Sequence, residues 1–238
     1  MTKISPKKPP SQSRLLAELV FCIVLPTLIL KKFSGEDSLG VTMSLVVALS
    51  LPVAFAIYHF NQERKIGLVP ALGFISILLT GIIGLLELGP EYLAIKEAMI
   101  PALIGIATLI SLKTPYPLVK TFLYNDMVMQ TDKVDAELMA RDNKSAFEQA
   151  LKNATYLLAG SFLLSAILNY TLAKWIVTAQ AGTEAFNDQL GTMTLLSYPV
   201  IVLPSMILMI VAMVYLFKQI KKLTGFGFED VLNQPDAK

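Results

Sequence analysis

The sequence predicts an all-α, polytopic membrane protein with six transmembrane helices and a short cytoplasmic helical connector between the fourth and the fifth. Of its 238 residues, 54% are hydrophobic and 16% are charged, whereas about a quarter of the residues of a soluble domain are charged. The apolar residues also form long blocks, several of about 20 residues, which is the length that crosses the hydrocarbon core of a bilayer. These observations indicate that lipid surrounds most of the chain.

The predicted transmembrane helices follow the apolar blocks in chain order. The first block comes after a basic tail rich in Pro and Ser, contains Glu18, ends at Lys31 and Lys32, and lacks a small-residue cleavage site. We therefore expect a retained span rather than a signal peptide. The six predicted spans cover 15–30, 41–60, the two halves of 68–112, 154–177 and 195–217.

The distribution of basic residues predicts that both termini lie in the cytoplasm. An even number of spans places the two termini on one side, and Lys and Arg are retained on the cytoplasmic side of a membrane. In this orientation the cytoplasmic segments hold sixteen of the twenty Lys and Arg residues, and the outer segments hold four. The prediction is therefore N-in/C-in. It places a cytoplasmic tail at 1–14, the first four spans at 15–112, the connector at 113–153, the last two spans at 154–217 and a second cytoplasmic tail at 218–238.

The connector is the one sizeable hydrophilic segment between predicted spans. Pro115 and Pro117 block continuation of the fourth helix. Asp132 is placed to cap a short helix on which Val134 and Leu138 form an apolar stripe. Two interpretations remain open: a helical elbow on the membrane surface or a docking platform for a cytoplasmic partner. We expect the final segment, GFGFEDVLNQPDAK, to be a frayed tail.

Charged and polar residues gather near the predicted outer ends of three spans. Glu87, Lys96 and Glu97 lie at one end of the hairpin formed by the third and fourth spans, and Asn169 and Lys174 lie near the outer end of the fifth. Ionisable groups within a membrane are costly and are commonly functional, whereas near the interface water lowers the cost. This candidate polar cluster is thus either a structural ion-pair cluster or a site for a solute or proton.

Small residues recur along one face of the third and the fourth predicted span. Small side chains let helix backbones approach closely, which is how membrane helices pack without a hydrophobic drive between them. We therefore expect a close-packed helical hairpin with contact faces formed by Gly73, Ser76, Thr80 and Gly84 on one helix and by Ala98, Ala102 and Gly105 on the other.

Proline also lies within several predicted spans, in the pattern apolar-Pro-small. Each mid-span proline leaves a backbone carbonyl that neighbouring groups must satisfy, so we expect kinked and tightly packed helices. The positions are Pro26, Pro52, Pro70, Pro101 and Pro204.

Several classes of function are disfavoured by the composition and by the motifs. Cys22 is the single cysteine and His59 the single histidine, so we expect no internal disulfide, no His/Cys metal site and no cofactor. The hydrolase, zinc-protease and phosphate-loop signatures do not occur, and we predict that the protein is not an enzyme. The basic residues lie beside the spans, which favours anionic lipid headgroups over nucleic acid as partners.

Part of the chain resembles a known family. The segment LLTGIIGLLELGPEYLAIKEAMIPALIGIATLISLKTPYPLVKTFLYND, over 78–126, is similar to a bacterial family of small multi-pass inner-membrane proteins that is grouped loosely with intracellular septation protein A. The first two spans, including VLPTLILKKFSGED, are similar as well, so the resemblance covers most of 15–126. The resemblance implies an inner-membrane protein linked to envelope maintenance or division, without catalytic residues.

Two hypotheses of different classes follow. The first is a non-enzymatic membrane protein that supports envelope organisation or septation through lipids, further copies of itself or other membrane proteins. The second is a small transporter for a solute or lipid that uses the outer Glu/Lys cluster and a polar ladder formed by Ser161, Ser165 and Asn169. A solvated cavity that reaches the bilayer midplane would favour the transporter, and a closed bundle with paired polar residues would favour the first.

Overall fold

In the computed structural model, all regular secondary structure of the described residues is helical. The single β-type pairing among them is an isolated antiparallel bridge between Met129 and Leu232. The all-α prediction is therefore confirmed for this part of the chain. The described residues are 12–63, 68–114, 117–126 and 129–232.

The first helix, α1, joins Gln12–Leu19, a π-helical turn at Val20–Val24, and Leu25–Lys32. Its start lies inside the predicted tail, of which residues 1–11 are outside the described part. The other helices are α2 (Gly40–Glu63), α3 (Leu68–Leu85), α4 (Pro90–Ser111), α5 (Leu118–Phe122), α6 (Thr131–Ala140), α7 (Lys144–Ile176), α8 (Glu184–Thr224) and α9 (Phe228–Val231).

Four helices, α2, α4, α7 and α8, are long and apolar enough to cross a membrane. In their most apolar windows only 17% to 33% of the residues are buried within the protein. Most of their residues therefore keep at least part of their surface exposed, and extensive exposed apolar surface is typical of contact with a membrane. The chain has the architecture of a multi-pass helical membrane protein.

The prediction of six spans holds only in part, because α1 and α3 do not belong to this set of four. In α1, Glu18 and the terminal Lys31 and Lys32 confine the uncharged stretch to 19–30, short of the roughly 20 residues that a span needs. The apolar part described for α3, Leu72–Leu85, is also short.

The two long helices in the second half of the chain extend beyond the predicted spans. Helix α7 already begins at Lys144, inside the predicted connector, and its 33 residues extend about 50 Å at 1.5 Å per residue. The sequence predicts an outer loop between the fifth and sixth spans, and this prediction is wrong from Glu184 onwards, because α8 begins there. Thr183 caps this helix, because its Oγ1 accepts a hydrogen bond from the Phe186 N–H at 3.2 Å.

Two helices contain a five-residue π-helical turn shortly before a proline. In α1 the Leu25 N–H bonds to the Val20 carbonyl and Pro26 follows. In α8 the Leu203 N–H bonds to the Tyr198 carbonyl, and Pro204 follows. A proline cannot donate to the carbonyl four residues before it, and local π geometry is one way in which a membrane helix accommodates this loss.

The described residues divide into two compact units. Unit A comprises Lys7–Ile100 and Ser165–Leu203, and unit B comprises Pro101–Leu164 and Pro204–Lys238, as far as these ranges are described. Helices α4, α7 and α8 contribute residues to both. Each unit has its own hydrophobic core, with Leu93 and Phe186 among the most deeply buried residues of unit A and Leu158 and Leu216 among those of unit B.

In unit B the connector differs in detail from the prediction. Pro117 directly precedes α5, whereas Pro115 lies outside the described residues. Helix α6 begins at Thr131, so Asp132 lies in its first turn and not at its N-cap. The apolar stripe is confirmed, since Val134 and Leu138 are both buried.

The prediction of a frayed C-terminal tail is wrong for the part up to Leu232. Residues Phe228–Val231 form α9, and Val231 is only 1% exposed. The Gln130 N–H donates to the Val231 carbonyl at 2.8 Å, and the rings of Phe217 and Phe228 lie 4.6 Å apart. The segment is ordered because Val231 is buried in the apolar core that α8 and the connector form.

Candidate functional site

The Lys96 side chain is the most deeply buried charged group among the described residues, at 5% exposure. It projects from α4 towards α3. Its Nζ lies 2.6 Å from Glu97 Oε1, 2.7 Å from Thr80 Oγ1 and 3.2 Å from Ser76 Oγ. We call Lys96, Glu97, Ser76 and Thr80 the Lys96 cluster.

Each donor of the Lys96 ammonium group has an acceptor within the Lys96 cluster. An ammonium group has three N–H donors, and three side-chain oxygens surround this one. Thr80 donates its own hydroxyl to the Ser76 carbonyl at 3.0 Å, so its lone pairs remain available to Lys96. Burial of a charge is costly unless it is paired and hydrogen-bonded, and both conditions are met here. Glu97 is 22% exposed, so the cluster is partly accessible from outside at this residue.

The other predicted members of the polar cluster make contacts elsewhere. Glu87 follows the end of α3 with a positive φ of 51°, and its carbonyl accepts a hydrogen bond from Gln180 Nε2 at 2.7 Å. Its side chain packs so closely on Gly182 that a Cβ there would lie within 2.9 Å of it. The structure thus brings Lys96 and Glu97 together, and it assigns Glu87 to the contact with the segment that precedes α8.

The two polar residues of α7 are satisfied within their own helix. Asn169 Nδ2 donates to the Ser165 carbonyl at 2.8 Å and lies 3.3 Å from its hydroxyl. Lys174 Nζ lies 5.7 Å from the centre of the Tyr170 ring. Ser161 donates to a carbonyl of its own helix, that of Leu158. The predicted polar ladder is therefore a set of local bonds along the helix.

The predicted small-residue faces are divided among several neighbours. Ser76 and Thr80 face Lys96 of α4, but a Cβ at Gly84 would come within 2.3 Å of Leu45 on α2. A Cβ at Gly105 would meet Leu163 on α7 at 3.1 Å, whereas Gly73 has open space beside it. Ala98 and Ala102 are half-buried. Small residues thus serve close approach to α2 and α7 as well as within the hairpin.

A second buried polar network lies in a region where the sequence predicts an outer loop. Asn187 on α8 is fully buried, and its Nδ2 lies 3.0 Å from both Ser34 Oγ and Ser44 Oγ and 2.9 Å from the Val41 carbonyl. The two serine hydroxyls are 2.8 Å apart. This network ties α8 to the turn between α1 and α2. The cap at Thr183 was the sequence signal that could have revealed the helix.

An ion pair reinforces the contact between α1 and α8. Lys31 Nζ lies 2.8 Å from Asp188 Oδ1 and donates to Thr192 Oγ1 at 2.8 Å. Gly191 allows this approach, because a Cβ there would lie 3.0 Å from the Lys31 side chain and 3.4 Å from the Thr27 carbonyl. Both charged groups are partly exposed, so the close backbone approach contributes more to stability than the ion pair does.

Comparison with known proteins found no match to this chain among protein-family models, curated proteins or solved structures. In the described part of the chain, no group of three or more His, Cys, Asp and Glu side chains could hold a metal ion.

Proposed function

We propose that this protein is a non-enzymatic, multi-pass protein of the bacterial inner membrane that supports cell-envelope organisation or septation. The observation that supports this proposal is the closure of the Lys96 cluster. The Lys96 ammonium bonds to Glu97, Thr80 and Ser76, so its donors stabilise the fold and are not free for a solute. The outward-facing apolar surfaces of the long helices provide contacts with lipids, with further copies of the chain or with envelope and division proteins of the membrane.

The proposed topology has six spans with both termini in the cytoplasm. Helices α1 and α3 contain 21 and 18 residues over 12–32 and 68–85, which corresponds to about 31 Å and 27 Å of helix, close to the thickness of a hydrocarbon core. The excess of Lys and Arg in the segments that this topology places inside supports the orientation. The connector and the C-terminal segment are then cytoplasmic.

A second candidate function is transport of a small solute or lipid. It is favoured by the presence of an ionisable pair, Lys96 and Glu97, within the apolar helix α4, since such groups commonly mark transport paths. Glu97 retains some exposure and is the group that a solute would reach first. The two functions differ in what they require of these charges: envelope organisation needs only a packed helix pair, and transport needs the charges themselves.

The decisive experiment compares single and double replacements in a strain that lacks the gene. Glu97→Leu leaves the buried ammonium without its carboxylate, and breaking a buried pair costs about 3–5 kcal/mol, so we expect a low protein level. Lys96→Met combined with Glu97→Leu removes both charges, which is often neutral or stabilising. We expect this double variant to restore the protein level, the cell length and the placement of septa, measured by immunoblot and by microscopy of membrane-stained cells.

A matched control uses the exposed ion pair of α6. Glu137 lies 2.6 Å from Arg141, and loss of such a surface pair costs at most about 1 kcal/mol, so Glu137→Leu should leave the protein level unchanged. A double variant that accumulates normally but fails to restore the cells would favour transport. A gene deletion that alters solute uptake without any change in cell length, septa or envelope integrity would overturn the proposal.

A further inference from the structure

A surface groove of about 220 Å³ lies in unit B, where α8 ends. Its apolar walls include Phe217 and Ile220 on α8 and Phe226 and Phe228 in the segment that follows. Phe228 is 56% exposed, so the groove opens to the surroundings. Pockets that enclose a whole drug-sized ligand measure about 300–1,000 Å³, and this groove is therefore of a size for one segment of an apolar chain.

The groove carries positive charge at its border. Lys218 and Lys221 line it, and Lys222 follows directly. All three side chains are exposed, and within the described residues none of them forms an ion pair. They lie in the turns that follow Phe217, the last residue of the apolar block of α8, which is where basic side chains reach the headgroup level of a bilayer.

Two other charged residues near the groove make contacts of their own. Lys133 Nζ lies 4.8 Å from the centre of the Phe226 ring and donates to the Asp230 carbonyl at 2.8 Å. Asp230 Oδ2 accepts a hydrogen bond from the Gly227 N–H at 2.8 Å. No acidic side chain is among the described residues that line the groove, and Glu229, which does not line it, is exposed. Unpaired positive charge therefore borders an apolar groove.

We propose that this groove binds an anionic phospholipid of the surrounding bilayer, with one acyl-chain segment against the phenylalanines and the headgroup at Lys218 and Lys221. The proposal rests on the proposed function and deepens it, because it specifies the lipid class that the membrane contacts recognise. Charge complementarity and the position at the end of an apolar span select this occupant. A zwitterionic lipid lacks the net negative charge that pairs with the lysines, and a soluble anion lacks the apolar groups that would contact the walls.

The test measures lipid retention by the full-length protein in mild detergent with native mass spectrometry. Phosphatidylglycerol and phosphatidylcholine of the same chain length compete for the protein, and we expect wild type to retain the anionic lipid preferentially. Lys218→Gln combined with Lys221→Gln should reduce that preference about tenfold or more, because each surface lysine contributes about fivefold. Phe228→Ala should reduce retention of both lipids and leave their ratio unchanged.

The control variant carries the same change of charge elsewhere in unit B. Lys144 and Lys152 are exposed and do not line the groove, so Lys144→Gln combined with Lys152→Gln should change the preference by less than about twofold, far less than the effect of two headgroup lysines. Lys218→Arg combined with Lys221→Arg should retain the preference. Circular dichroism and the elution profile verify that every variant is folded.

Several results would overturn the proposal. Equal losses in the two lysine pairs would indicate general electrostatic attraction, and an unchanged preference in the groove variant would exclude the groove. Displacement of the lipid by inorganic phosphate would indicate a phosphate site, and a dimer that dissociates in the Phe228→Ala variant would indicate a second copy as occupant. These outcomes leave the proposed function intact, since that function fails only if gene deletion leaves the envelope unchanged.

Discussion

Units A and B use their buried polar side chains in different ways. In unit A such side chains bond to one another across helices: Asn187 reaches Ser34 and Ser44, and Lys96 reaches Thr80 and Ser76. These are side-chain networks enclosed by apolar residues, where each member depends on the others.

In unit B the buried core is largely apolar, and polar side chains close the ends of helices. Asn143 Nδ2 donates to the Leu223 carbonyl at 2.8 Å, near the end of α8. Lys133 Nζ donates to the Asp230 carbonyl at 2.8 Å. The last carbonyls of a helix lack partners within the helix, so these bonds satisfy groups that would otherwise need water.

The difference teaches how each unit obtains specificity. Lipid provides no hydrophobic drive between helices, so small residues and polar pairs determine which helices of a membrane bundle meet. Unit A follows this rule with Gly84, Gly191 and Asn187 at its contacts. Unit B contains the amphipathic connector, whose Val134 and Leu138 are buried, and burial of apolar surface provides its stability.

The largest effect that would test this comparison is expected at Asn187. Asn187→Ala removes the amide group that donates to Ser34, Ser44 and the Val41 carbonyl and leaves a void at a fully buried position. Two lost N–H donors at about 1 kcal/mol each, together with the void, should cost about 2 kcal/mol or more. The matched change in unit B is Asn153→Ala, which removes an exposed bond of 3.0 Å to the Tyr215 hydroxyl and should cost less than about 0.5 kcal/mol. The denaturant midpoints of the two variants, measured in the same detergent, give both losses of stability. Equal shifts of the midpoint would contradict the distinction between the units.

Replacing two helical glycines by alanine should have smaller effects on stability, and the two effects should have opposite signs. At Gly84 a new Cβ would come within 2.3 Å of Leu45, which is buried and cannot move freely. Gly84→Ala should therefore destabilise the protein by about 1–2 kcal/mol through overpacking. At Gly160 in unit B the nearest atom, of Leu208, is 3.8 Å away, so Gly160→Ala should stabilise by about 0.5–1 kcal/mol because Ala favours the helix. A decrease of the thermal midpoint in both variants would contradict the difference in packing at the two glycines.

A destabilisation smaller than that at Gly84 is expected at Tyr124, the exception to the pattern in unit B. Its hydroxyl donates to Asp135 Oδ1 at 2.7 Å. Burial, that hydrogen bond and nearby carboxylates raise the pKa of Tyr124 well above its usual range. Tyr124→Phe keeps the ring contact with Phe147 and should cost about 1 kcal/mol.

The raised pKa of Tyr124 also predicts a dependence on pH. The unfolded chain releases the tyrosine proton near pH 10.0, while the folded chain retains it. Tyr124 therefore contributes its full stabilisation below about pH 10 and loses it as the pH rises further. Unfolding midpoints between about pH 9 and pH 11 should fall more steeply for wild type than for Tyr124→Phe. Parallel slopes would show that Tyr124 ionises normally in the folded protein.

The features predicted correctly are those that depend on local pattern. The apolar blocks of α2, α4, α7 and α8 are visible in the sequence because a long run of apolar residues has few alternatives to a membrane helix. Val134 and Leu138 follow from helical spacing. The start of α8 was missed because residues after 177 are polar enough to resemble a loop, and its cap at Thr183 is a signal of one residue.

The candidate site was predicted only as far as neighbours in sequence determine it. Lys96 and Glu97 are adjacent in the chain and form the expected pair, and Ser76 and Thr80 join them because α3 lies against α4. Glu87 was assigned to the same cluster from its place in the sequence. A turn with positive φ after α3 instead directs it towards Gly182.

By itself the sequence determined the helical class, the membrane setting and the existence of a charged pair in α4, since composition and periodicity act over short distances along the chain. Only the tertiary structure decided which buried polar groups meet. Asn187 lies 153 residues from Ser34 and 143 from Ser44, and no pattern along the chain links them. Between helices with apolar surfaces, packing at small residues and a few polar contacts select the partners, and these contacts exist only once the helices are assembled.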